Sequence, residues 1–251
     1  MWLSFRANAR CGRLCKLVDV RDARLVALFE VLLCSDYPTQ LAIASTLRVL
    51  GMLPRTARGD FSVPFVVTLE LTDTVVLIGL IFFFLLRHGE RPRDVFLGSR
   101  PVAGEISLGL PMIVAAFVIA IAVLGTVQLV APSLHNVAQN PVQEMLHRPR
   151  DAGIFALVVV IAGGVREEIQ RGFILHRFDR WLGGPYVGVV VWSIVFGFGH
   201  TWQGYDVAIT TAALGAFWAM VYVRRRSIVA PLVSHSGFNL LEVVQYLVVG
   251  R

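Results

Sequence analysis

Residues 106–131 read ISLGLPMIVAAFVIAIAVLGTVQLVA, 26 positions without one charged side chain. About 20 apolar residues in a helix cross the roughly 30 Å hydrocarbon core of a bilayer. Working outward, Phe61–Leu86 is apolar apart from Glu70 and Asp73, and Ala152–Val165 is apolar until Arg166, Glu167 and Glu168. Trp181–Gly199 is uncharged and runs into His200, Val207–Val223 stops at Arg224, and Ile228–Val249 holds His235, Asn239 and Glu242. These runs are too long for membrane strands and lack two-residue alternation, so helices are the only spanning solution.

Composition agrees. Of 251 residues, 56% are hydrophobic and 16% are charged, against about 25% charged in a soluble domain. That balance excludes a water-soluble globule and a disordered chain. Three cysteines exclude a disulfide-built scaffold; Cys11, Cys15 and Cys34 read as reduced thiols. The net charge of +6 reads as anchoring of helix ends rather than nucleic-acid binding, because the basic residues sit in short loops without aromatic interleaving.

The expected fold class is therefore all-α: a polytopic transmembrane bundle of six to eight helices. Arg87, Arg91, Arg93 and Arg100, then Arg177 and Arg180, then Arg224–Arg226 fall on one side if six spans alternate, and that side is assigned to the cytoplasm. His135, Arg148 and Arg150 form a weaker cluster opposite. Residues 1–60 make a basic N-terminal segment, with Arg6, Arg10, Arg13, Lys16, Arg21 and Arg24. No apolar stretch of signal-peptide type directly follows this basic start. Within the segment, Leu25–Leu53 reads either as a seventh crossing, which satisfies the charge rule and is favoured, or as two interfacial amphipathic helices. Residues 61–150 carry the first two spans, and 151–251 a core of four.

Ionisable residues inside apolar spans are costly and face the bundle interior. Glu70 and Asp73 fall within about two turns of the outer end of their span and read as interfacial. The remaining set is Arg166, Glu167, Glu168, Arg171, His200, His235 and Glu242. On a helix, Glu167 and Glu168 both reach Arg171, at four and three residues; one carboxylate pairs and the other is left to accept a proton from water. His235 and Asn239 share one helix face, with small Ser236 and Gly237 between them. Glu167 with His200 and His235 also resembles a hydrolytic zinc set. The metal-free alternative has Glu167 and His200 polarise water while His235 and Asn239 stabilise an oxyanion.

The three motifs Glu167-Glu168…Arg171, Phe196…His200 and His235…Asn239, in that order on successive hydrophobic segments, resemble the CPBP (Abi) family of CAAX- and bacteriocin-processing intramembrane endopeptidases. The family pattern is Glu-Glu-x-x-x-Arg, Phe-x-x-x-His and His-x-x-x-Asn. The second and third match residue for residue. In the first, two residues rather than three separate Glu168 from Arg171. If the arginine is the fixed point, Arg166 takes the first Glu position; if the glutamates are, Glu167 takes it. Glu167 is the favoured base, with Glu168 next.

The resemblance implies hydrolysis of peptide bonds in membrane-associated substrates, prenylated CAAX-type proteins among them, at a cavity open to cytoplasm or lipid. It implies catalytic Glu167, Glu168, Arg171, His200, His235 and Asn239, with Glu167, His200 and His235 as zinc ligands where the reaction is metal-dependent. The partners are membrane lipid and a peptide or lipidated protein, not nucleic acid, and the location is an integral membrane protein of the bacterial inner-membrane type. Two other readings compete: a non-catalytic scaffold or immunity-type protein, and a small proton-coupled transporter using Glu70, Asp73 and Glu167.

Overall fold

The computed structural model describes residues 13–57, 59–138, 140–141 and 149–249. Arg6, Arg10, Cys11, His147 and Arg148 lie outside them, and of Arg13, Cys15, Lys16 and Arg150 only the backbone is described. Helices α1 (Arg13–Leu33) and α2 (Tyr37–Val49) are followed by α3 (Val63–Arg87), short α4 (Pro92–Phe96) and α5 (Val102–Val130). Next come α6 (Pro149–Val158), a π-helical stretch (Val159–Arg166) and α7 (Glu167–Trp181), contiguous in sequence, then α8 (Pro185–Phe198), α9 (Tyr205–Arg225) and α10 (Val229–Val249). The bundle is all-helical, as its apolar runs require.

Four helices, α3, α5, α9 and α10, are long and apolar enough to cross a membrane. Residues 21–33 of α1 with α2 make a fifth if taken as one span, bent by 41°. The bend falls at Asp36, whose positive φ of 80° breaks the helix. Two segments read as spans from sequence differ. Gly183 and Gly184, at φ 98° and 100°, delay the start of α8 to Pro185, leaving 14 helical residues, fewer than a crossing needs. The helix holding Ala152–Val165 continues through a charged stretch to Trp181, so it fails on apolarity rather than on length.

The three arginine-bearing loops gather at one end, as their sequence placement predicts. Ile228 N–H donates to the Phe96 carbonyl at 2.8 Å, Arg226 pairs with Asp179 at 2.5 Å, and Arg180 pairs with Glu90 at 2.8 Å. Gly98, at φ +61°, lies against the Arg226 backbone carbonyl, where a side chain would collide. The same end is tied to α1 by buried Arg177, which donates from Nε to Glu30 and from Nη1 to Glu90, each at 2.5 Å. His88 Nε2 lies 2.6 Å from Glu30, and His176 Nε2 lies 3.0 Å from Glu90. Burial pushes the Glu90 carboxyl up, but the bonds from His176 and Arg177 outweigh it and hold the group down at about 2.

An apolar core of α1, α3, α4, α7, α8 and α9 residues surrounds Phe173, Ile174 and Leu175 on α7. A second cluster joins Met112 and Ala116 of α5 to Trp218 of α9 and Phe238 of α10. Between the two runs the polar face of the π stretch and α7.

Candidate active site

Glu167 and Glu168 open α7 directly after the π stretch. Such stretches widen the helix locally and recur at functional sites. The π segment lies close against α10: a Cβ on Gly164 would overlap Ser236, and one on Gly163 would meet Asn239 Nδ2 at 2.7 Å. Glycine at 164 leaves room for Ser236, and glycine at 163 for the Asn239 amide.

The consecutive glutamates face different surroundings. Glu168 is fully buried. It pairs closely with Arg171, and its Oε1 lies 2.8 Å from His235 Nδ1. Glu167 lines a cavity of about 570 Å³ together with His200, His235 and Asn239. Its nearest charged groups are Arg166 Nη2 at 3.6 Å and His235 Nε2 at 3.8 Å, both beyond hydrogen-bond range. One carboxylate is thus tied into the scaffold and its neighbour faces open space.

Aromatic rings fix the imidazoles. His235 stacks on Trp218, centroids 3.9 Å apart and planes at 18°. Phe196 lies between the two histidines, 5.0 Å from His200 and 6.3 Å from His235. Arg171 sits over the Phe196 ring at 4.8 Å and the Trp218 ring at 5.7 Å, contacts suited to a buried guanidinium. His200 Nδ1–H donates to the Phe196 carbonyl at 2.8 Å; the ring tautomer follows, and Nε2 is left for another partner. Asn239 Nδ2–H donates weakly to the Val159 carbonyl at 3.4 Å.

All six residues singled out by the motifs therefore meet at one place: Glu167, His200, His235 and Asn239 on the cavity wall, Glu168 and Arg171 behind it. Among the described residues no three His, Cys, Asp or Glu side chains converge as a metal ion requires. Glu167, His200 and His235 line the same cavity without forming such a group.

Residues 149–241 match the family model described as type II CAAX prenyl endopeptidase Rce1-like. This segment is similar to that family. Comparison with curated proteins and with solved structures gave no match. The Rce1-like segment runs from α6 into α10 and contains every motif residue, whereas α1–α5 lie outside it. The matched family is one of proteases, so peptide hydrolysis at a membrane is the family-level reading.

Sequence reasoning missed what surrounds the Rce1-like motif. Glu70 and Asp73 are not interfacial: Asp73 is fully buried, and Arg166 Nη1 donates to Glu70 at 2.8 Å and to Asp73 at 2.9 Å. Asp36, at the α1–α2 bend, adds a third carboxylate 3.4 Å from Arg166. A lone arginine at the end of an apolar run demands a buried counter-charge, and the acids in other apolar runs were the available signal. Trp218 under His235 carried no such mark, because an indole in an apolar helix looks like any core residue.

Proposed function

We propose that the protein is an intramembrane endopeptidase in which Glu167 is the general base. The observation that carries this reading is the division of labour between neighbouring carboxylates. Glu168 is held by Arg171 and His235, while Glu167 faces the cavity without a hydrogen bond. Glu167 takes a proton from a water molecule oriented by His200 Nε2. The resulting hydroxide attacks the peptide carbonyl carbon. The developing oxyanion accepts hydrogen bonds from Asn239 Nδ2–H and His235 Nε2–H. Ionised Glu168 compensates the imidazolium that this second donor requires. Glu167 then delivers its proton to the departing amine nitrogen as the C–N bond breaks.

A membrane-anchored peptide, lipidated CAAX-type sequences included, is the substrate class. The test is cleavage of a quenched lipidated peptide library by the protein in liposomes. Glu167→Gln is expected to lose about 100- to 10,000-fold in rate, the usual contribution of a general base, with thermal stability unchanged. Glu168→Gln is expected to lose activity and stability together, because it strips Arg171 of its buried partner. Full activity in Glu167→Gln would overturn the assignment. Cleavage with and without a chelator, and after zinc is added back to chelated samples, tests the metal reading separately.

A further inference from the structure

We infer that the catalytic cavity opens on the membrane face opposite the arginine-rich loops, so that its substrates are peptide segments presented from the extracytoplasmic side. Each helix contributes to the cavity from a different part of its length. Of the helices that start at the arginine-rich end, α5 contributes through its remote portion, Ala120 and Leu124, and α10 from His235, nearly two turns in, on to Tyr246. Of the helices that run towards that end, α3 (Val66, Glu70) and α7 (Glu167, Gln170) contribute from their beginnings, and α9 from Val207 as far as Trp218. No residue of the three arginine-bearing loops lines the cavity. Trp202 and Gln203, in the α8–α9 connection at the remote end, do, and Trp202 is 46% exposed.

Depth points the same way. From Glu167 to Trp181 is 14 residues of α7, or about 21 Å of helix at 1.5 Å per residue. That length, closed by the Glu30–Arg177–Glu90 bridge, separates the base from the arginine-rich surface. Orientation follows from charge. The arginine-rich end holds Arg21 and Arg24 besides the nine arginines of its three loops, whereas the described residues at the remote end include Arg48 in the last turn of α2, Arg55 and, at the start of α6, Arg150. Lys/Arg excess in short loops marks the cytoplasmic side, so the mouth lies on the other.

The placement of the mouth stands on geometry and charge; the statement about substrates rests on the hydrolytic reading above. The experiment is cysteine labelling of the full chain with its own cysteines replaced (Cys11→Ser, Cys15→Ser, Cys34→Ala). Gln203→Cys and Gln245→Cys report the mouth, and Arg93→Cys the opposite face. A membrane-impermeant maleimide is applied to intact cells and again after permeabilisation, with total thiol measured after denaturation. The two mouth positions are expected to label in intact cells, and Arg93→Cys only after permeabilisation. The reverse pattern, or labelling of all three in intact cells, would overturn the inference.

The wild-type protein is then offered the lipidated peptides in right-side-out and inside-out vesicles. Cleavage is expected in the former. Cleavage confined to inside-out vesicles would overturn the inference while leaving proteolysis standing. Outward labelling without cleavage in either preparation would leave the orientation standing and remove proteolysis.

Discussion

Arg166 and Arg177 lie about three turns apart on one run of helix, both buried, and they are neutralised in different ways. Arg177 is shared between Glu30 and Glu90, and His88, His176 and Arg180 share those same acids. Cations and carboxylates there are nearly matched, and the cluster joins α1, α7 and the loop after α3. Arg166 is met by Asp36, Glu70, Asp73 and Glu167, four carboxylates to one guanidinium. Two of them, Asp36 and Glu70, are about a fifth exposed and line the cavity, where water reaches them. A balanced buried network holds a bundle together; an over-supplied one beside an open cavity leaves carboxylate oxygen available for proton handling.

The largest expected effect removes the balanced node. Arg177→Met leaves Glu30, 2% exposed, with His88 as its remaining partner, and breaking a buried pair costs about 3–5 kcal/mol. Thermal melting in detergent should show the loss. The cost of Arg166→Met is expected to fall at the low end of that range, about 3 kcal/mol, because Asp36 and Glu70 can be solvated from the cavity while fully buried Asp73 loses its guanidinium. Its peptide cleavage should nonetheless fall, since Glu167 loses its nearest guanidinium. Equal melting losses in the two variants would erase the distinction between the clusters.

The smallest effect is acid titration of the balanced node. Glu90 titrates at about 2 in the fold, against an ordinary value of 4.5. Its folded value is depressed, so its contribution is fully present above pH 4.5 and declines as pH falls towards 2. Melting temperature should decline through that window in the wild type, and less steeply in Arg177→Met. Parallel acid profiles would show that Arg177 does not hold Glu90 ionised.

Much of this was legible in the sequence. Uncharged runs fixed the helical class, and the arginine loops fell together because alternating spans must place them so. The six motif residues converged because their spacings are helix-face spacings, and helix faces survive into the bundle. The span count was less legible. Gly183 and Gly184 shorten α8 through backbone conformation, which an apolar tally does not register. The partners of Arg166 were illegible for a different reason: Asp36, Glu70 and Asp73 lie about 90 or more residues upstream, and nothing local tells an interfacial acid from a buried counter-ion.

The π-helical stretch before Glu167 bears on how this helix is mounted. Upstream, α6 packs on α3 and α10; downstream, α7 packs on α8 and α1. An unbroken α-helix would have one angular phase, so turning the carboxylates towards the cavity would also turn every residue of α6 against its neighbours. A π turn takes up extra chain within the same helix, and the two halves can be oriented independently. The upstream half is then free to drift in sequence to suit its packing partners without rotating Glu167 away from the cavity.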